Sequence, residues 1–220
     1  MFVSSIIVAG GSGKRFGGKK QFFNLCGKPV VLWSIEKFLK LTDEVILVLP
    51  KEDINSFRAK WVKKYPALKI CAGGKERFIS VENGLKNISA QSSIVCIHDG
   101  ARPLTGKADI LRCIKTARKH GAAICAAPAS DTIKLTDGKT TIEKTLDRRK
   151  IFLAQTPQVF RKEVILKAFK NKAGVITDDA QMVERTGLKV RVVPVTTPNT
   201  KITEQSDILI AEKLIRKYKT

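Results

Sequence analysis

Short, nearly continuous apolar runs alternate with longer stretches in which hydrophobic residues recur every three or four positions. Val3 to Ala9 has the first pattern, as a strand buried on both faces requires. Glu44 to Leu49, Leu68 to Cys71, Ser93 to Ile97, Ala122 to Ala127 and Val190 to Val195 predict further strands. Between them, Val31, Leu32, Ile35, Phe38 and Leu39 recur at helical spacing up to Leu41, behind Pro29, which suits a helix start. Ile54, Phe57, Trp61 and Val62 mark a second helix, and Phe78, Val81, Leu85 and Ile88 a third. A fourth is expected from Ala108 to His120. This β-α-β-α order predicts an α/β fold, a Rossmann-like and mostly parallel sheet with helices on both faces. Such sheets bind ligands at the carboxyl ends of their strands, near the point where strand order reverses.

The rhythm breaks between Asp131 and Lys150. Thr132-Ile133-Lys134-Leu135 and Thr141-Ile142 flank Asp137-Gly138, a hairpin signal, and the segment is polar enough to project as a β-arm. Beyond it the pattern predicts a helix from Lys162 to Asn171, another opening at Thr177, and a closing helix from about Glu204. No repeat or linker interrupts the chain, so one domain over residues 1–220, with the arm at about 131–150, is the expectation.

Composition narrows the class. Hydrophobic residues make up 43% of the 220, enough for a buried core. No apolar run approaches the roughly 20 residues that span a bilayer, and Met1 leads straight into a strand without the pattern of a signal peptide. Five cysteines, odd in number and without a C-x-x-C pair, predict reduced core residues in a cytoplasmic protein. A formal charge of +21 raises the question of nucleic acid. The cations are spread along the whole chain, however, and two Trp with two Tyr give little material for stacking bases. The charge suits equally a protein that handles several phosphates at once, and no nucleic-acid partner is expected.

The candidate chemistry starts at the loop after the first strand, Ala9-Gly10-Gly11-Ser12-Gly13-Lys14-Arg15-Phe16-Gly17-Gly18-Lys19-Lys20-Gln21. Glycines let backbone N–H groups approach an anion closely, and basic residues neutralise it. The dinucleotide fingerprint fails here because Phe16 stands where its third glycine belongs and Pro50-Lys51 where a ribose-binding acid is expected. A P-loop reading from Gly13 to Lys19 fails at Lys20, where Ser or Thr would hold Mg²⁺. The nucleotidyltransferase loop, Gly-x-Gly-x-Arg followed by Lys-Gln, fits Gly11, Gly13, Arg15 and Lys20-Gln21.

Further motifs follow in order: Gly73-Gly74-Lys75-Glu76-Arg77 with Ser80-Val81-x-Asn83-Gly84-Leu85, and then His98-Asp99-Gly100-Ala101-Arg102-Pro103. Ala154-Gln155-Thr156-Pro157-Gln158-x-Phe160, Thr177-Asp178-Asp179-Ala180 and Asn199-x-Lys201-Ile202-Thr203 complete the series. Each is weak alone. Together, across nearly the whole chain, they resemble the 2-C-methyl-D-erythritol 4-phosphate cytidylyltransferases. The sister enzymes acting on ribitol 5-phosphate are the nearest alternative, and a basic nucleic-acid-binding module is the rival from another class. It would leave the glycine loops unexplained.

The resemblance implies that a polyol phosphate attacks the α-phosphorus of CTP and releases pyrophosphate. A phosphate monoester, with a second pKa near 6, is already ionised at neutral pH, so no general base is required. The work is to bring two anions together, by positioning and fixed positive charge. By resemblance, Arg15, Lys20 and Lys201 are catalytic. Ala9, Gly10, Gly11, Gly13, Gly74, Ser80 and Asp99 would bind CTP, the base being read by the backbone of Ala9 and Gly74 and the Ser80 hydroxyl. Asp99, Arg102, Thr132, Arg148, Thr156 and Thr177 would bind the polyol phosphate, with Thr177 at a helix N-terminus. The family forms homodimers through the arm, so Arg148 would serve the partner's site. Mg²⁺ would be held mainly by CTP phosphates, with no protein ligand. Three departures stand out: Lys75 where the family commonly has Asp, a shortened stretch from Arg15 to Lys20, and Lys19 replacing a common proline. The last two leave open whether Lys19 or Lys20 is the lysine at the phosphates.

Overall fold

The computed structural model describes residues 1–11, 13–170 and 175–218. Its first strand, β1 (Phe2–Val8), lies inside a seven-stranded sheet. The remaining strands of that sheet are β4 (Glu44–Leu49), β5 (Leu68–Ala72), β6 (Ser92–Asp99), β7 (Ala122–Pro128), β10 (Phe152–Arg161) and β11 (Arg191–Pro194). Their spatial order is β11-β7-β10-β6-β1-β4-β5. A short hairpin, β2 (Asn24–Leu25) with β3 (Lys28–Pro29), and the arm, β8 (Ile133–Thr136) with β9 (Ile142–Leu146), form separate two-stranded sheets.

The apolar runs are continuous because both faces of the sheet are covered. Ile7, Leu47 and Cys96 pack against α1 (Val30–Leu39), α2 (Ile54–Trp61) and α4 (Lys107–His120). On the other face Ile6, Ile46 and Ile97 pack against α3 (Arg77–Leu85), α5 (Lys162–Ala168) and α6 (Asp179–Glu184). A third cluster joins α7 (Ser206–Tyr218) to the glycine loop and the first hairpin through Phe16, Leu25, Ile208 and Ile215. No described helix is long and apolar enough to cross a membrane.

The pattern-based expectations hold for the strands and helices of the first half, with ends shifted by up to three residues. They miss β10, which lies antiparallel between β6 and β7. Its sequence mixes Gln155, Pro157 and Gln158 with apolar residues, its first three residues are exposed, and its pairing with β7 breaks between Ala154 and Gln158. No simple period marks such a strand. The helix predicted to Asn171 ends at Ala168, and Asn171 lies outside the described residues. The next helix opens at Asp179 rather than Thr177: the Asp178 carboxylate accepts from the Gln181 N–H and is the N-cap. The arm projects as expected, built on Ile133–Thr136 paired with Ile142–Leu146 and largely exposed.

Candidate functional site

From β1 the chain steps to β4 and β5 on one side, and α3 then returns it to β6 on the other. The carboxyl ends of β1 and β6 lie side by side at this reversal, with Val8 paired to Asp99. A cleft of about 190 Å³ opens there between the glycine loop, the turn after β5 and the end of β6. Ala9, Gly10, Gly11, Lys20, Gly74 and Ser80 line it, together with Asp99 and Lys201.

The loop's conformation depends on Gly13. Its φ is +70°, and a Cβ there would lie 1.8 Å from the Gly18 carbonyl oxygen, so only glycine fits. The Gly13 carbonyl accepts from Phe16 N and Gly18 N, and buried Phe16 anchors the turn in the third cluster. The buried Gln21 side chain donates to the Gly11 carbonyl at 3.2 Å and ties the loop's far end back to its start. Lys20 is thereby delivered into the cleft. Lys19 points away, bound to Asp53 at 2.7 Å and to Glu52 at 3.3 Å. Of the two lysines, Lys20 lines the cleft and Lys19 does not. Burial, then the charges of Lys201 and Arg15, lower the Lys20 pKa. Arg15 itself remains exposed, and neither it nor Gly13 lines the cleft.

Across the cleft, the Ser80 hydroxyl accepts from Gly74 N at 3.1 Å and lies 3.2 Å from the Glu76 carbonyl. It braces the Gly73-Gly74 turn as well as lining the cleft. A Cβ on Gly74 would meet Ile79 at 2.2 Å, so the turn packs directly on α3.

Asp99, at the end of β6, collects the site's charge. Arg77 Nε donates to its Oδ1 at 3.1 Å, Lys201 Nζ to its Oδ2 at 2.7 Å, and Arg102 Nε lies 3.8 Å from Oδ2. Burial opposes ionisation of Asp99, but Arg77 and Lys201 outweigh it and hold the carboxyl well below its ordinary range. Arg77 also reaches the fully buried Asp179, NH1 to Oδ2 at 2.9 Å. For Asp179, burial wins over Arg77 and raises the pKa.

A second cavity of about 270 Å³ shares the wall formed by Arg77, Asp99 and Lys201. Arg102, Gln155, Thr156 and Thr177 face it. Thr156 Oγ1 accepts from Asp99 N at 3.0 Å and lies 3.1 Å from His98 Nδ1. Because His98 Nε2 faces the Arg102 carbonyl at 3.2 Å, the ring carries its proton there and Nδ1 accepts from Thr156. Burial pushes the His98 pKa down to about 3, so the ring is neutral and structural. Asn199 closes the assembly: its amide donates to the Thr156 carbonyl at 2.8 Å, Thr105 donates to its Oδ1, and its own carbonyl accepts from Arg102 at 2.7 Å. Three segments carrying Arg102, Thr156 and Lys201 are pinned at one buried amide.

Thr132 and Arg148 line neither cavity of this chain; Arg148 donates to the Ser130 carbonyl at the base of the arm. Thr177 faces the second cavity from the residue before the N-cap Asp178, so the helix expected to open at Thr177 begins two residues later, at Asp179. Arg77, to which the Gly73–Arg77 motif assigns no role in sequence, is the guanidinium that joins Asp99 to Asp179. Its signal was position, as the first residue of a helix directly behind a double-glycine turn. Among the described residues no group of three or more His, Cys, Asp or Glu side chains is arranged to hold a metal.

Comparison with known proteins identifies the family. The family model described as IspD, 2-C-methyl-D-erythritol 4-phosphate cytidylyltransferase, matches residues 3–217. The enzyme of that name from Endomicrobium trichonymphae is 41% identical over 219 residues, covering 97% of this chain and 98% of the relative. The one from Aquifex aeolicus is 43% identical, covering 96% and 97%. Among solved structures, the 4-diphosphocytidyl-2C-methyl-D-erythritol synthase of Anaerococcus prevotii superposes with a TM-score of 0.87 at 32% identity, covering 98% of this chain and 96% of that one. The Thermus thermophilus enzyme gives 0.81 at 29% identity, covering 98% and 100%. The chain belongs to the IspD family of 2-C-methyl-D-erythritol 4-phosphate cytidylyltransferases.

Proposed function

We propose that this chain transfers the CMP moiety of CTP to 2-C-methyl-D-erythritol 4-phosphate, giving 4-diphosphocytidyl-2-C-methyl-D-erythritol and pyrophosphate, with Lys20 and Lys201 as its principal catalytic cations. One observation carries the residue assignment: Lys201 stands in the wall between two adjoining cavities, while Lys20 faces only the one beneath the glycine loop. CTP occupies the first cavity, its base against the Gly74–Ser80 turn and its phosphates under Gly10 and Gly11. The polyol phosphate occupies the second, among Arg102, Thr156 and Thr177. The ionised phosphate oxygen attacks the α-phosphorus, a new P–O–P bond forms, and the bond to the β-phosphate oxygen breaks.

Two anions approach each other in this step, and charge grows on the transferring group. Lys20 and Lys201 stabilise it from fixed positions, and Arg15 closes over the triphosphate from the exposed rim. Asp99 orients Lys201 and Arg77 rather than abstracting a proton, since a carboxylate held so acidic is a poor base. Mg²⁺, held by nucleotide phosphates and water, would supply positive charge at the pyrophosphate; no protein carboxylate is assigned to it, since Asp99 is engaged on both oxygens by Arg77 and Lys201. The arm pairs with that of a second copy, and Arg148 reaches the polyol phosphate in the partner's site.

Pyrophosphate release from CTP, measured with methylerythritol phosphate and with ribitol 5-phosphate in parallel, tests the substrate. Activity with the first and at most traces with the second is expected. A preference for ribitol 5-phosphate overturns the assignment.

A further inference from the structure

A third cavity, of about 320 Å³, lies on the opposite side of the Arg102–Asn199 clamp and shares no lining residue with the other two. Its floor is apolar: Trp33 from α1, Leu104 and Pro198 from the flanking loops, and Leu214 and Ile215 from α7. Its charged lining residues are both cations, Lys37 of α1 and Lys107 at the start of α4. Lys37 is half-buried and bonded only to backbone carbonyls, to Pro103 O at 3.2 Å and to Thr105 O. An ammonium withdrawn from water without a carboxylate partner is costly, and carbonyl dipoles repay only part of the loss.

We infer that this cavity binds a small amphipathic anion, an alkyl or ring body bearing a carboxylate or phosphate. The body packs against the indole of Trp33 and the side chains of α7, and the anionic head meets the Lys37 ammonium. The size lies at the lower end of the range for small-molecule sites, and a largely apolar lining with a few convergent polar groups is their usual composition. The missing carboxylate is supplied by the ligand. Burial lowers the Lys37 pKa to about 8, helped by the charge of Lys28 from β3, and a bound anion would draw it back up. Of the other groups facing Lys37, His98 is neutral throughout the alkaline range.

Binding is read by Trp33 fluorescence or calorimetry with octyl phosphate, octanoate, octanol and inorganic phosphate as separate probes. Both amphipathic anions are expected to bind, with inorganic phosphate and octanol each at least about tenfold weaker, since neither supplies both contacts. Preference between the two anions identifies the head group. Saturating CTP should leave binding in place, which separates this site from the nucleotide cleft whatever that cleft's substrate proves to be. Lys37→Met should weaken the anions about tenfold while sparing octanol. Because that variant also removes support for the 103–105 loop, the unaltered protein supplies an independent arm. Anion affinity should fall about tenfold between pH 7 and pH 9.5 as Lys37 discharges, with octanol unchanged. Octanol binding as tightly as the anions, or anion affinity indifferent to both pH and Lys37→Met, overturns the proposal.

Discussion

The Asp99 cluster and the projecting arm are both rich in charge and use it in opposite ways. Around Asp99, Arg77, Lys201 and Arg102 converge on one buried carboxylate, and the two arginines are each held by a second contact, Arg77 to Asp179 and Arg102 to Asn199. In the arm region, Arg149 pairs with its near neighbour Asp147 in full solvent, and Arg148 leans on a backbone carbonyl. The first arrangement has low dielectric and fixed geometry, so each charge strongly affects both stability and reaction. The second is screened, and a charge there matters only when another surface covers it. One region is finished within the chain; the other is left in solvent.

The largest effect separating the two regions is expected from Arg77→Met. It strands Asp99 and Asp179 with one guanidinium fewer, and removing one partner from a buried pair costs about 3–5 kcal/mol. Urea unfolding should show a midpoint lowered accordingly, with turnover lost alongside. A midpoint unchanged from the parent would mean the network contributes no stability, and the contrast with the arm would fail. Next come Lys20→Met and Lys201→Met. Each removes a cation expected to act on the transition state, so kcat should fall about 10²- to 10³-fold. The unfolding midpoint should move far less than in Arg77→Met for Lys20→Met, which breaks no ion pair among the described residues, and by an intermediate amount for Lys201→Met, which takes one of its partners from Asp99. Steady-state kinetics beside the same urea titration checks both halves.

The contrast also explains what could be read from the sequence. The sheet's core was legible because burial on both faces writes a continuous apolar run, as in β1 and β4. The glycine loop was legible because Gly13 occupies a backbone conformation that no other residue tolerates. β10 was not, because its residues serve three purposes: Phe152 and Leu153 are exposed, Thr156 and Gln158 are buried polar groups, and Phe160 is core. Arg77 escaped because a lone arginine beside Lys75 and Glu76 looks solvated. Its partners Asp99 and Asp179 lie 22 and 102 positions away along the chain, separations that only the fold closes. The Lys19–Lys20 ambiguity had the same root, since the acidic pair that claims Lys19 sits after β4.

Arg148→Ala carries the comparison to the arm. If its partner site lies in a second copy, kcat/KM should fall about tenfold or more for the polyol phosphate, in line with the loss of a charge-assisted contact, while the unfolding midpoint stays put. Mixing this variant with Lys201→Met decides whether the contact is made in trans. Mixed dimers then contain one site with both residues intact, and activity should rise well above the sum of the separate variants. No rise on mixing, with each variant confirmed as an exchanging dimer, would count against the crossed arrangement.

A smaller, pH-dependent effect tests the buried region again. Lys20 must be charged to hold phosphate, and burial beside Lys201 and Arg15 lowers its pKa. Activity should therefore fall on the alkaline side earlier than an ordinary lysine would dictate, and be fully present below that point. Lys20→Arg, which does not titrate in this range, should shift the alkaline limb of kcat/KM upward even if its maximum is lower. An alkaline limb that stays where it was would assign the titration to another group.

The smallest effect belongs to Lys19→Ala, and its smallness is informative. Lys19 and Lys20 are chemically identical neighbours in one glycine loop, so any difference between them comes from where the fold sends each ammonium. Lys19 is turned outward to Asp53 and Glu52 at the surface, where solvent and salt screen the pair. Its removal should leave kcat within about twofold of the parent, against the 10²- to 10³-fold loss expected for Lys20→Met. Raising the ionic strength should change Lys19→Ala and the parent alike. Should Lys19→Ala instead lose activity as Lys20→Met does, the loop must swing on binding CTP to bring Lys19 inward, and the exposed acidic pair would be its resting latch.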